Sequence, residues 1–148
     1  MKKALILLSC LLLTGCFGDD KPEEKTQKEP ILDYYSIADQ KINWGDIFSQ
    51  KEKEYLIYFY SEYCGHCKSI KEEVLSYYYL CEKAFYFVDI VEQKAVIKSD
   101  RDSIIGTKSI KDFYILGTPF LINIKEKMVD SYYAGTEAIL NFINMERI

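Results

Sequence analysis

Residues 55–60 are all apolar or aromatic, and after three further residues the chain reaches a pair of cysteines, Cys64 and Cys67. A run of this length, without alternation between apolar and polar positions, is typical of a β-strand that is covered on both faces. Such a strand must lie inside a sheet that has other elements packed on each side. The run therefore predicts a layered fold in which the two cysteines follow the end of a buried strand.

Other segments supply the elements that a layered fold needs. Apolar periodicity and turn residues predict strands at residues 31–37, 84–91, 120–124 and 128–133, a short helix opened by residues 43–46, and helices at residues 67–80, 108–114 and 136–145. Strands that alternate with helices and end in a terminal hairpin are typical of an α/β domain.

The first residues have the pattern of an export signal. Lys2 and Lys3 precede an apolar stretch at residues 4–13, which is about half the roughly 20 residues that a spanning helix needs. Residues 13–16 (Leu-Thr-Gly-Cys) resemble the lipobox of bacterial lipoproteins. That resemblance implies cleavage before Cys16, lipidation of its sulfur, and a location on the extracytoplasmic face of a bacterial membrane. The alternative is an ordinary secretory signal that is cleaved nearby.

The predicted domain organisation follows from this cleavage. Residues 1–15 form the lipoprotein signal peptide, residues 16–30 a disordered charged tether, and residues 31–148 the folded domain. Without Lys2 and Lys3 the chain keeps 17 basic residues against 23 acidic ones. A net charge of about −6 argues against nucleic acid as a partner, so the lipid on Cys16 is expected to make the contact with the bilayer.

The cysteine count singles out one pair. Cys10 leaves with the signal and Cys16 carries lipid, so the folded domain has Cys64, Cys67 and Cys81. An exported domain sits where disulfides persist, and the two residues between Cys64 and Cys67 make them a candidate reversible pair. Cys81 is either a small apolar group or a regulatory thiol. No metal is expected, because a zinc site needs four ligands and a second cysteine pair is absent.

The position of the pair suggests how it works. A thiolate, not a thiol, attacks a disulfide, and Cys64 at the start of a helix faces unpaired backbone N–H groups that lower its pKa. Cys67, one turn further in, is expected to be more covered. Cys64 is therefore predicted to attack the substrate, and Cys67 to attack Cys64 and release the product.

Three features together resemble the thioredoxin family over roughly residues 31–148. They are the motif at residues 64–67 (Cys-Gly-His-Cys) between a strand and a helix, the segment 117–119 (Gly-Thr-Pro) before a strand, and Gly135 before the last helix. The resemblance implies the thioredoxin fold, a central mixed β-sheet flanked by helices. It also implies a redox-active disulfide between Cys64 and Cys67, and no further cofactor.

The resemblance assigns roles to four more residues. Cys-Gly-His-Cys is similar to the motif of protein disulfide isomerases, which implies that Gly65 and His66 tune the redox properties of Cys64. The alternative for His66 is an exposed loop residue. Pro119 is expected to be cis and to lie against the cysteines, with Thr118 pairing with an extended substrate segment. An ordinary trans turn proline is the other interpretation.

The chain also departs from the family. Tyr58 stands where thioredoxins carry a buried aspartate, and Phe87 stands where the next strand usually has a lysine. Proton transfer to and from Cys67 therefore lacks its familiar acid.

These observations predict an extracytoplasmic, membrane-tethered thiol-disulfide oxidoreductase that acts through Cys64 and Cys67. Its partners are expected to be thiols or disulfides of exported proteins, or a membrane redox partner. Reduction, oxidation and isomerisation all remain open. The rival hypotheses are a lipoprotein that binds or delivers a metal through its thiols, and a non-catalytic surface module.

Overall fold

The computed structural model describes residues 32–99 and 103–148. The predicted signal peptide, the tether and the lipidation site Cys16 lie outside the described residues. Within the two described ranges, none of the helices has the length and apolar character needed to cross a bilayer.

The described residues form one mixed sheet. Its strands are β1 (Glu54–Tyr60), β2 (Ala84–Asp89), β3 (Phe120–Lys125) and β4 (Met128–Ala134), in the order β2-β1-β3-β4. β2 runs parallel to β1, whereas β3 is antiparallel to both β1 and β4. The apolar run thus becomes an interior strand with a neighbour on each side. The predicted α/β architecture is confirmed.

Strand β1 is buried on both faces, and its alternate side chains enter two different clusters because successive residues of a strand point to opposite faces. Leu56, Tyr58 and Tyr60 pack in one cluster, and Tyr55, Ile57 and Phe59 pack in the other. Each of these six side chains has no measurable exposure. The prediction of a strand covered on both faces is confirmed.

Within residues 32–99 and 103–148, three α-helices flank the sheet: α1 (Gly65–Ser69), α2 (Lys71–Leu80) and α3 (Thr136–Glu146). The buried side chains of α3 are Ile139, Phe142 and Ile143, a spacing that places them on one helical stripe. They join α2 in covering the face of β1 that carries Tyr58. The opposite face is covered by residues that follow the short 3₁₀ helix Trp44–Asp46 and by the irregular segment 103–119.

The strand predicted at residues 31–37 is wrong, since the chain forms a 3₁₀ helix over Tyr34–Gln40. The Asp33 carboxylate accepts a hydrogen bond from the Tyr34 amide at 2.6 Å. The Asp33 carbonyl oxygen accepts one from the Ser36 amide at 3.0 Å. Aspartate before the first turn satisfies free amides and favours a helical turn over a strand. The sheet gains only an isolated bridge here, between Lys41 and Phe87.

The helix predicted at residues 108–114 is also wrong, because this stretch contains turns. Phe113, Tyr114 and Ile115 are buried one after another. An α-helix rotates by about 100° per residue, so it cannot direct three consecutive side chains into one core. Ile115 instead forms an isolated bridge with Ile97.

The structure has two helices, α1 and α2, where one helix is predicted from Cys67 to Leu80. The first begins at Gly65, two residues earlier than predicted, and the helical geometry is interrupted at Ile70, where φ is −119° and ψ is 11°. The two parts together still place Cys67, Val74 and Leu75 on the buried side.

Candidate active site

Cys64 follows the end of β1 through a tight turn. The Cys64 amide donates to the Ser61 carbonyl at 3.1 Å, and the Tyr63 amide donates to the Ser61 hydroxyl at 3.1 Å. This turn places Cys64 immediately before α1 as its N-cap. The Cys67 amide donates to the Cys64 sulfur at 3.3 Å. The strand, the turn and the first helical turn therefore bring the two cysteines together, as predicted.

The surroundings of Cys64 favour its thiolate. Burial opposes ionisation, but the Thr118 side chain, Cys67 and the amides of Cys67 and His66 outweigh it and hold the pKa of Cys64 below its usual value. Hydrogen bonds to a thiolate stabilise the charged form. Since Cys64 is also partly exposed, it is the sulfur that a substrate can reach.

Cys67 has the opposite character. Its side chain has no measurable exposure. Burial raises the pKa of the Cys67 thiol, and its interaction with Cys64 raises it further. Cys67 is therefore the protonated, covered partner. The predicted division between an attacking and a resolving cysteine fits these two environments.

Thr118 approaches Cys64 from the loop before β3, and Pro119 follows it in the chain. The peptide bond between them is cis, as expected. The Cys64 thiol lies 3.5 Å from the Thr118 carbonyl oxygen. A shallow open groove runs along this loop and the end of β4, lined by Leu116, Gly117, Thr118, Pro119, Ala134 and Gly135. The loop therefore supplies both a contact to the reactive sulfur and a surface beside it.

A family model described as Thioredoxin matches residues 36–144, which is most of the chain. The chain belongs to the thioredoxin family. No curated protein sequence matches it with significant similarity.

Solved thioredoxins share this domain's fold. Mitochondrial thioredoxin 3 of Saccharomyces cerevisiae, in its oxidised form, is 13% identical with a TM-score of 0.52, and the match covers 74% of this chain and 94% of the yeast chain. Schistosoma mansoni thioredoxin, from a 1.6 Å structure, is 19% identical with a TM-score of 0.50, and the match covers 71% of this chain and 92% of the other. At such identities the likeness concerns the fold alone.

The two residues between the cysteines of this thioredoxin domain face solvent. His66 is exposed, and its carbonyl oxygen accepts a hydrogen bond from the Ser69 hydroxyl at 2.9 Å. A Cβ atom added to Gly65 would meet nothing within 4 Å. Neither residue is held in place by packing. His66 acts on Cys64 through its backbone amide, which stabilises the thiolate and lowers the pKa of Cys64.

The two departures from the family pattern are neighbours in this thioredoxin domain. Tyr58 on β1 is paired in register with Phe87 on β2, and their ring centroids are 6.1 Å apart. Both are fully buried in the cluster that contains Cys67. A third aromatic residue, Tyr34, joins them. The position of Tyr34 in this cluster does not follow from the sequence analysis, which predicts a strand at residues 31–37. Asp33 and Ser36 form a helix-starting pattern that could have indicated the 3₁₀ helix.

Cys81 lies apart from the active site, at the end of α2. It is half-buried and free, and it packs against the same cluster as α2 and α3. Among the described residues, no three His, Cys, Asp or Glu side chains are grouped so that they could hold a metal ion.

Proposed function

We propose that the chain catalyses thiol-disulfide exchange through Cys64 and Cys67. The observation that carries the proposal is the contrast between the two sulfurs: Cys64 is accessible with a lowered pKa, and Cys67 is buried with a raised one. The Cys64 thiolate attacks one sulfur of a substrate disulfide, and the other substrate sulfur leaves as a thiolate. Cys67 then loses its proton and attacks Cys64. The Cys64–Cys67 bond forms, and the first substrate sulfur leaves with its electron pair.

The proposed substrates are disulfides and thiols of exported proteins, or a membrane redox partner. The support is the first part of the sequence, where a short apolar segment and residues 13–16 resemble a lipoprotein signal. Lipidation of Cys16 would tether the domain to the extracytoplasmic face of a bacterial membrane through residues 16–30. Disulfides are exchanged in that compartment.

We propose an oxidising or isomerising direction. The support is the motif at residues 64–67, which is similar to that of protein disulfide isomerases, together with the lowered pKa of Cys64. A stabilised thiolate belongs to the reduced enzyme, so it favours reduction of the enzyme and oxidation of the substrate.

The test uses the full chain and two substitutions. Cys64→Ser should abolish the reduction of insulin by dithiothreitol above the uncatalysed rate. Cys67→Ala should preserve the first attack and accumulate mixed disulfides, because no second thiol resolves them. These species are counted by mass spectrometry after acid quenching. Trapping by Cys64→Ser but not by Cys67→Ala would reverse the assignment. Stoichiometric retention of copper or zinc without exchange would replace the proposal by a metal-binding function.

A further inference from the structure

An open pocket lies beside the turn that leads to Cys64. Its volume is about 290 Å³, close to the lower end of the range for small-molecule sites. The residues that line it are Asp33, Tyr34, Tyr35, Glu62, Lys68 and Lys71. None of these residues lines the groove along Thr118 and Pro119. The pocket is therefore a second concave surface, separate from that groove.

Two of the lining residues flank Cys64 in the chain, and backbone hydrogen bonds fix both segments. Glu62 lies inside the turn that the Cys64 amide closes by donating to the Ser61 carbonyl at 3.1 Å. Lys68 lies one helical turn after Cys64, and its amide donates to the Cys64 carbonyl at 3.1 Å. A helical turn rises by about 5.4 Å. The pocket therefore begins within one helical turn of the reactive cysteine.

Another wall of the pocket comes from the start of the 3₁₀ helix, and packing holds this wall in place. Tyr34 stacks on Tyr60, the last residue of β1, with ring centroids 4.0 Å apart. Lys71 on α2 pairs with Asp33 at 3.5 Å and lies 5.8 Å from the centroid of the Tyr34 ring. The lining residues of this wall all precede residue 36, where the match to the thioredoxin family begins. The wall therefore lies outside the part of the chain that the family model matches.

The pocket offers two unpaired charges of opposite sign. Asp33 and Lys71 neutralise each other. Glu62 and Lys68 are exposed, and neither side chain has an ion-pair or hydrogen-bond partner among the residues that the structure describes. Tyr35, which is 85% exposed, adds an uncovered aromatic ring. The pocket thus presents a free carboxylate, a free ammonium group and an aromatic surface.

This combination suits a ligand that has both charges on one small head group. A free α-amino acid has an ammonium group and a carboxylate on the same carbon, so the first can pair with Glu62 and the second with Lys68. A residue inside a polypeptide has lost both charges to its peptide bonds. A polypeptide would have to supply them from two separate side chains. The pocket therefore fits the head group of a free amino acid better than a peptide segment.

We propose that disulfides of small zwitterionic thiols, of which cystine is the simplest, bind between Glu62 and Lys68 and reoxidise the Cys64–Cys67 pair. The inference rests on the proposed function, because an enzyme that oxidises its substrates is left as a dithiol and needs an oxidant. It names the chemical class of that oxidant.

The reaction with cystine proceeds in two exchanges. The Cys64 thiolate attacks one sulfur of cystine, the S–S bond of cystine breaks, and the second cysteine leaves as a thiolate. Cys67 then loses its proton to solvent and attacks Cys64. The enzyme disulfide forms, and the first cysteine leaves with the electron pair of its broken bond. One cystine is reduced to two cysteines, and the enzyme loses two electrons.

The test compares four small disulfides that differ in charge: cystine, which has both charges, cystamine with ammonium groups, dithiodipropionate with carboxylates, and neutral hydroxyethyl disulfide. The reduced full chain is mixed with an excess of each at low ionic strength, quenched with acid and alkylated. Mass spectrometry of the peptide that contains Cys64 and Cys67 gives the rate of its oxidation. Each rate is divided by that of the same disulfide with free dithiothreitol, which corrects for intrinsic reactivity.

Corrected rates are compared with that of hydroxyethyl disulfide in the same variant, so a general effect on Cys64 cancels. Each charge contact is exposed, so it should raise the corrected rate roughly two- to fivefold, with cystine gaining from both contacts. Glu62→Gln should remove the advantage of the ammonium groups in cystine and cystamine. Lys68→Gln should remove the advantage of the carboxylates in cystine and dithiodipropionate. Both advantages should shrink at high salt.

Lys125→Gln and Glu126→Gln are the matched controls, because they remove the same charges from exposed side chains in the hairpin of β3 and β4. Lys125 is paired in register with Glu54, so this hairpin lies at the end of β1 away from Cys64. Both controls should leave the order of the four disulfides unchanged.

Two results would overturn the inference and leave the proposed function in place. One is an equal corrected rate for all four disulfides. The other is a change of the same size in the pocket variants and the hairpin variants, which would indicate an effect of net charge. Failure of every disulfide to oxidise the Cys64–Cys67 pair would overturn the proposed function itself, and the inference with it.

Discussion

His66 lies between the two cysteines with an exposed side chain and an amide that favours the Cys64 thiolate. These two parts of the residue can be separated by mutation. Alanine removes the imidazole and keeps the N–H group, whereas proline removes both. The pair of substitutions therefore asks whether the side chain or the backbone of His66 sets the redox properties of Cys64.

We expect His66→Pro to lower the reduction potential of the Cys64–Cys67 disulfide by about 30 mV or more, because one pKa unit of lost thiolate stabilisation is about 1.4 kcal/mol. The potential falls because the thiolate exists only in the reduced enzyme. His66→Ala should lower the potential by a smaller amount. The measurements are equilibration with glutathione redox buffers and titration of thiolate absorbance.

The two variants also show how this expectation can fail. Equal shifts would mean that the amide contributes nothing beyond the imidazole. No shift in either potential or thiol pKa would leave His66 as an ordinary loop residue and would remove the sequence-based reason for proposing an oxidising or isomerising direction.

At the scale of elements, strand β1 organises the domain because it separates two aromatic clusters and leads directly to Cys64. Phe59 contacts the rings of Trp44, Phe113 and Phe120 on the face away from the cysteines, with centroid separations of 5.8 to 6.1 Å. These partners come from three different segments of the chain. Side chains from distant parts of the sequence therefore pack against strand β1.

Phe59→Ala should lower the free energy of unfolding by about 3–5 kcal/mol, because it leaves a cavity where three rings meet. Urea denaturation followed by circular dichroism measures the change. The slope of the free energy of unfolding against urea concentration should be the same in the variant and the unsubstituted chain. Tyr35→Ala is the control, since Tyr35 is 85% exposed and its loss should change stability by less than about 0.5 kcal/mol. Similar losses from both substitutions would contradict the role given to β1.

At the scale of the whole molecule, the folded domain is preceded by residues 16–30, which are expected to join it to a lipid on Cys16. We predict that Cys16→Ala blocks lipidation, so that the chain is recovered either as a soluble form or with its signal uncleaved. Membrane fractionation without detergent and intact mass measurement distinguish these forms. A variant that has lost its signal and still sediments with membranes would refute the lipid anchor.

Much of the sheet could be predicted from the sequence. Continuous apolar runs located β1 and β2, two short apolar segments joined by a tight turn at residues 125–127 located the hairpin of β3 and β4, and a closing helix was located at α3. These patterns are local, and each element follows its own pattern because the sheet buries the apolar positions. The roles of the motif at residues 64–67 and of Pro119 were inferred differently, from their resemblance to the thioredoxin family.

The two elements that were predicted wrongly depend on non-local or capping interactions. The Asp33 carboxylate starts a 3₁₀ helix where apolar content favoured a strand. Residues 108–114 bury consecutive side chains against the far face of the sheet, which no periodic pattern within the segment encodes. Apolar periodicity predicts which face of a helix or strand is buried. It does not predict the conformation of a segment whose backbone is determined by capping or by the elements that it packs against.

The sequence by itself determined the covered central strand, the cysteine pair after it, and the absence of the family's aspartate at Tyr58. Only the tertiary structure decided which groups from distant segments surround the two sulfurs and which side chains pack around Tyr58. Thr118 reaches Cys64 across 54 positions of the chain, and Tyr34 stacks on Tyr60 from a separate helix. A pKa depends on burial and on every dipole nearby, and the fold brings those groups together from parts of the sequence that share no local pattern.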